Sequence, residues 1–189
     1  MEKIPVQKIA RVLGMLVTVT LICNFIALLL VPTFVALKGN LLELLDIWHD
    51  PQNPVNPLVV ILLMWPNIIL RENIAYEQVL TLFLLFSGCC TAVILWQARR
   101  VLNTVLRGEP FSAENAVSLR RAAWACFLIA GAALARVAFS VCYYQSPRPL
   151  ATYNALFVPM FAMGGLLCLV MSALFRQAAE IKAENDLTI

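Results

Sequence analysis

Four long apolar runs, at residues 12–37, 79–97, 122–144 and 155–175, alternate with polar segments of unequal length along the chain. Each is close to or above the about 20 residues a helix needs to cross a bilayer, so four transmembrane helices are predicted. After the first run the sequence turns polar, and Asp46, His49, Asp50, Pro51, Pro54 and Pro57 mark an irregular segment. A further apolar stretch at 58–70 holds only about 13 residues, too few to cross comfortably, and predicts a short interfacial or re-entrant helix. The expected fold is therefore all-α: one integral membrane domain over 1–189, with an outer loop at 38–78 that carries the short helix, an inner loop at 98–121 and an inner tail at 176–189.

Basic residues orient this arrangement. With four spans, Lys3, Lys8, Arg11, Arg99, Arg100, Arg107, Arg120, Arg121, Arg176 and Lys182 share one side, against Lys38, Arg71 and Arg148 on the other. A fifth span through 58–70 would invert that bias, so the positive-inside rule selects four spans, with both termini in the cytoplasm and the chain in the cell inner (plasma) membrane. Trp96 and Trp124 then mark the inner interface, and Tyr143, Tyr144 and Tyr153 the outer one. The first run is too long for a signal-peptide core and lacks a cleavage site, so it is expected to remain as a span.

Composition narrows the function. Hydrophobic residues make up 61% of the chain and charged residues 13%, with a mean hydropathy of +0.82. A water-soluble fold cannot cover that much apolar surface, and 189 residues leave no room for an added soluble catalytic domain. The formal charge of +3 sits beside apolar runs, where it faces lipid headgroups and sets topology; direct nucleic-acid binding is not expected. All six cysteines fall inside apolar segments without C-x-x-C spacing and are read as small packing residues. His49, between Asp46 and Asp50, is too isolated to argue for a metal site. With no Gly-rich phosphate loop, nucleophile elbow or paired-carboxylate motif, the expectation is a non-enzymatic protein without metal or cofactor.

Two regions remain as candidates. Arg136 lies within the third span, where a charge costs about 2.5–3.5 kcal/mol on insertion scales and must find acceptors. Asn24 in the first span and Glu77 at the mouth of the second are the expected partners, and together the three residues form a candidate intramembrane polar site. Such a site would suit a small-solute or ion transporter or channel component, formed as an oligomer. Small residues one turn apart, at Ser87 and Thr91, Gly88 and Ala92, Gly131 and Ala135, and Gly164, Cys168 and Ser172, allow close helix approach within the bundle or between two copies. Pro32 and Pro159 are expected to kink their helices.

The other region is the inner loop with the tail. Arg99, Asn103 and Arg107 fall on one helical face and Val101, Leu102, Val105 and Leu106 on another, so the second span should continue as an amphipathic helix that Gly108 ends. Pro110 and Phe111 make a turn, and Ser112 is placed to cap a helix whose first turn contains Glu114. The tail closes on Glu184, Asn185 and Asp186, an acidic group facing the basic loop.

The segments RGEPFSAENAVSLRRAAW at 107–124 and LFRQAAEIKAENDLTI at 174–189 resemble the bacterial membrane-protein family of unknown function numbered 2975. The resemblance rests on Gly108, Pro110, Phe111, Asn115, Leu119 and Arg120 in the loop, and on Glu184, Asn185, Asp186, Leu187 and Thr188 in the tail. It implies a four-helix bacterial inner-membrane protein, from a family often encoded beside small helix-turn-helix regulators, and supplies no catalytic residues. Gly108, Pro110, Phe111, Asn115, Arg120, Glu184, Asn185 and Asp186 are accordingly the candidate contacts to a cytoplasmic transcription regulator.

Overall fold

A computed structural model describes residues 4–36, 59, 65 and 75–187. The chain folds into four long helices: α1 (Ile4–Ala36), α2 (Ala75–Leu106), α3 (Ala113–Tyr144) and α4 (Phe157–Leu187). Two 3-10 turns, Arg148–Ala151 and Tyr153–Leu156, join α3 to α4, and no strand occurs among the described residues. All four helices are long and apolar enough to cross a membrane. The expected short helix at 58–70 lies outside the described residues except for Val59 and Trp65; the Trp65 indole N–H donates to the Leu29 carbonyl at 3.2 Å.

The helices outrun the apolar runs that seed them. At 1.5 Å per residue, the 32 residues of α2 or of α3 span about 48 Å, against about 30 Å of hydrocarbon. Polar residues such as Arg99, Arg100 and Asn103 end the hydropathic signal without ending the helix, because none of them disfavours helical backbone as Gly or Pro would. What ends α2 is Gly108, whose φ of 84° is left-handed. The Gly108 amide donates to the Val105 carbonyl and the Glu109 amide to the Thr104 carbonyl, each at 3.1 Å, so the last carbonyls are satisfied in a Schellman turn.

Successive helices are antiparallel. Val35 near the end of α1 shares a cleft with Glu77 at the start of α2, Tyr76 meets Tyr143 and Tyr144 at the end of α3, and Phe111 before α3 meets Phe175 late in α4. One end therefore gathers the start of α1, the α2–α3 turn and the end of α4; we call it the turn end. The opposite end, with Tyr76, Tyr143, Tyr144 and Tyr153, is the tyrosine end.

Packing is sequential. The substantial interfaces are α1 with α2, α2 with α3, and α3 with α4, so α3 is the most buried helix and α1 the least. Alanines bring the helices together: Ala122, Ala123, Ala125, Ala130 and Ala133 of α3 are all buried around Ile129, which is itself 0% exposed and packs with Cys90, Ile94 and Phe161. On α1, Val12, Met15, Leu16, Val19 and Ile22 are exposed, as side chains in contact with lipid are.

Two glycines mark the closest contacts. A Cβ on Gly88 would meet the Leu28 side chain at 2.5 Å, and one on Gly165 would meet the Phe127 ring at 2.9 Å. Gly131 and Gly164, expected on equal footing, face open space within 4 Å. Pro159 does not break a helix: it is the third residue of α4, where an amide has no intrahelical acceptor to lose. Pro32 is fully buried within a continuous α1. Gly165→Val should lower unfolding stability by about 1–3 kcal/mol through overpacking against Phe127. Gly131→Ala should leave it within about 0.5 kcal/mol, both read by thermal unfolding in detergent.

Candidate functional site

At the turn end, the short link between α2 and α3 is held from inside. Asn115 is 0% exposed; its amide donates to the Pro110 carbonyl at 2.8 Å, and its Oδ1 accepts from the Thr104 hydroxyl at 2.7 Å. One side chain thus joins the last turn of α2, the link and the first turn of α3. Ser112 occupies the N-cap position with φ −109° and ψ 147°, but its hydroxyl caps nothing; the Asn115 backbone N–H donates to the Ser112 carbonyl at 3.0 Å instead. Two contacts tie α4 to this unit: the Ser172 hydroxyl donates to the Ala116 carbonyl at 2.7 Å, and the Phe111 and Phe175 rings lie 5.7 Å apart.

Beside the link, α3 and α4 enclose a cleft of about 420 Å³. Its floor is Ala113, Ala116, Ala179 and Ala183 with Val117 and Ser172; Arg120, Arg176 and Glu180 rim it. Arg176 and Glu180 form an exposed i,i+4 ion pair at 2.9 Å, which contributes little to stability in water. The α3 part of the floor precedes Arg120, where the apolar run of α3 has not begun, while Ser172 of α4 lies near the end of the apolar run at 155–175.

The residues expected to contact a partner separate into two groups. Gly108, Phe111 and Arg120 are exposed and Pro110 is half-buried. Asn115 is the correction: fully buried and engaged on both sides, it holds the turn and offers no surface to a partner. Glu184 and Asn185 are exposed on α4, each with an interaction partner, and Asp186 continues the same helix. Sequence reasoning passed over the alanines of the cleft; their spacing, Ala113 with Ala116 and Ala179 with Ala183, is the signal that a helix face was being kept shallow.

At the tyrosine end, Arg136 sits about 12 Å below the last residue of α3, eight residues away. Neither expected partner pairs with it. Its guanidinium lies over the Phe83 ring at 4.8 Å from the centroid. Glu77 lines the same cleft, yet no Arg136–Glu77 ion pair forms. Asn24 lies eleven residues before Val35, about 16 Å deeper along α1; its Oδ1 is buried without a hydrogen-bond partner among the described residues, and it lines neither cavity around Arg136.

Those two cavities adjoin. One, of about 350 Å³, is lined by Arg136, Arg148, Tyr76, Tyr144, Asn154 and Ser140, with Val137, Ser146, Pro149 and Thr152. The other, of about 470 Å³, runs between α1, α2 and the start of α4 past Phe34, Val35, Leu80, Phe83, Leu84 and Phe157. Tyr76, Arg136 and Asn154 belong to both.

The cysteines show a convergence that their spacing hides. Cys90 of α2, Cys126 of α3 and Cys168 of α4 come near one another in the middle of the helices. All six cysteines are free thiols, and among the described residues no group of three or more His, Cys, Asp or Glu side chains is arranged to hold a metal. His49 lies outside the described residues.

Four antiparallel helices, each long and apolar enough to cross a membrane, define a multi-pass membrane protein. Residues 49–189 match the family described as "Protein of unknown function (DUF2975)", and the chain belongs to that family. No curated protein and no solved structure matches the chain.

Replacing Asn115 with Ala leaves the Pro110 carbonyl without its donor and opens a void. It should cost about 1–3 kcal/mol of unfolding stability. Glu109→Ala, on the exposed side of the same link, should cost less than about 0.5 kcal/mol; chemical denaturation in mixed micelles separates the two.

Proposed function

We propose that this protein is a non-catalytic membrane anchor whose turn end faces the cytoplasm and docks a soluble partner. The observation that carries this reading is the alanine-floored cleft between α3 and α4. It is built beyond the apolar run of α3, where water rather than lipid would otherwise cover it. An apolar groove of that kind accepts one face of an amphipathic helix, and Arg120, Arg176 and Glu180 stand at its rim to select charge. Phe111, exposed beside α4, and the helical tail through Glu184 and Asn185 extend the surface.

The orientation follows from the basic residues Arg99, Arg100, Arg107, Arg120, Arg121 and Arg176, which gather at the turn end, and the membrane is the bacterial inner membrane that the family resemblance implies. The partner class we favour is a helix-turn-helix transcription regulator, again on that resemblance. A small-solute pathway has less behind it: Arg136 and Asn24 share no cavity among the described residues, and closely packed alanines fill the α2–α3–α4 core below Arg136.

Orientation is read first. In a cysteine-free background, single cysteines at Ser112 and Thr188 should label only from the cytoplasm and one at His49 only from outside; external labelling of Ser112 removes the docking reading. Docking is read next, by copurification. Filling the cleft with Ala179→Trp and Ala183→Trp, or deleting residues 184–189, should release the soluble regulator from a correctly inserted protein. An unchanged partner set in both variants would count against the proposal.

A further inference from the structure

We propose that the tyrosine end binds an anionic amphiphile. Its carboxylate or phosphate head sits between Arg136 and Arg148, and its hydrocarbon chain lies in the cleft between α1, α2 and the start of α4. The site is separate from the docking cleft and does not depend on it.

The polar cavity is rich in donors. Arg136 and Arg148 carry only donors, the phenols of Tyr76 and Tyr144 and the amide of Asn154 add more, and no carboxylate lines it among the described residues. Two of the acceptors nearby are engaged within the chain: the Ser146 hydroxyl accepts from the Arg148 backbone N–H at 3.4 Å, and the Pro149 carbonyl accepts from the Thr152 hydroxyl at 2.6 Å. A cavity with two arginines and, among the described residues, no counter-charge in its lining is matched by an anion, which guanidinium binds through two parallel hydrogen bonds.

Arg136 gives this demand its strength. A charge within a span is costly, and the face of the Phe83 ring offsets part of that cost. Among the described residues no carboxylate completes the balance. The head of a bound anion does.

The adjoining cavity specifies the rest of the ligand. Beyond Tyr76, Arg136 and Asn154 its walls become Val35, Leu80, Leu84 and Phe157, which offer a chain no polar partner but ample contact. Glu77 lines this cleft and not the polar cavity, so it repels an anionic head from the cleft and favours its placement toward Arg148. Volumes of about 350 and 470 Å³ are within the roughly 300–1,000 Å³ of small-molecule sites. The same chemistry describes a free single-chain amphiphile and the headgroup and one chain of an anionic bilayer lipid.

The full chain in a neutral maltoside detergent would be titrated with monododecyl phosphate, with occupancy read by native mass spectrometry and by thermal unfolding. The expected result is saturable one-to-one binding with a rise in melting temperature, weakened at least tenfold in Arg136→Gln and severalfold in Arg148→Gln. Leu84→Trp, which fills the cleft, should abolish it. Should Arg136→Gln fail to fold, Arg148→Gln and Leu84→Trp still decide the matter. Inorganic phosphate binding as well as the alkyl phosphate would overturn the proposal, as would undiminished binding in Arg148→Gln and Leu84→Trp. Phosphatidylglycerol against phosphatidylcholine in nanodiscs identifies the source. Selective retention of phosphatidylglycerol supports a bilayer lipid, and binding of the single-chain phosphate alone supports a free amphiphile.

Discussion

A peptide group in hydrocarbon has no water to bond, and an unsatisfied one costs several kcal/mol. That constraint shapes this chain more than any side-chain contact. It keeps each helix unbroken for 31 to 33 residues, lets α1 continue through the buried Pro32, and defers turns to the ends of the helices. It also governs the small polar side chains within the helices. Thr18, Thr81 and Thr91 each return a hydrogen bond of 2.8 Å to the carbonyl four residues earlier, so their hydroxyls are satisfied without a neighbouring helix. Helices that meet their polar needs internally leave shape as the main term in packing.

Shape here means alanine and glycine. Lipid tails are as apolar as leucine, so helices gain from association by close approach and by interhelical hydrogen bonds. Buried alanines of α3, Gly88 under Leu28 and Gly165 under Phe127 supply the approach; Ser172 to the Ala116 carbonyl supplies one such bond. The same small-residue pattern runs on to Ala113 and Ala183, beyond the apolar runs at 122–144 and 155–175, and there it lines a cleft. The property that packs α3 on α4 in the membrane thus also makes the surface at the turn end.

Much of this was legible in the sequence, and the remainder was hidden for identifiable reasons. Span number follows from apolar run length, and the end of α2 follows from Gly108, because both are local properties. Hydropathy falls at Arg99 while helical backbone does not, so the continuation of α2 to Leu106 was legible from the amphipathic spacing of Arg99, Asn103 and Arg107 and not from run length. Asn115 looked like a loop residue in a polar stretch; its burial depends on Thr104, eleven residues earlier, and on the Pro110 carbonyl. Gly164 was singled out for its spacing to Cys168 and Ser172, yet its neighbour Gly165 makes the close contact, because that is the glycine that faces Phe127. The convergence of Cys90, Cys126 and Cys168 likewise depends on how three helices align in depth, which no spacing within one helix encodes.

Arg136 shows how far charge counting reaches. Pairing by sign pointed to Glu77, and depth in the span pointed to a polar neighbour such as Asn24. Geometry selected an aromatic ring. Arginine suits that choice better than lysine would: its guanidinium is planar, less strongly hydrated than an ammonium and able to stack on Phe83 while its edge N–H groups stay free for other acceptors. Over a ring and beside two cavities, one side chain meets part of its desolvation cost and keeps its hydrogen-bonding capacity. An ion pair with Glu77 would have neutralised the charge within the chain and spent that capacity. The separation of Arg136 from Glu77, two charged groups around one cleft, is what keeps both charges from cancelling each other there.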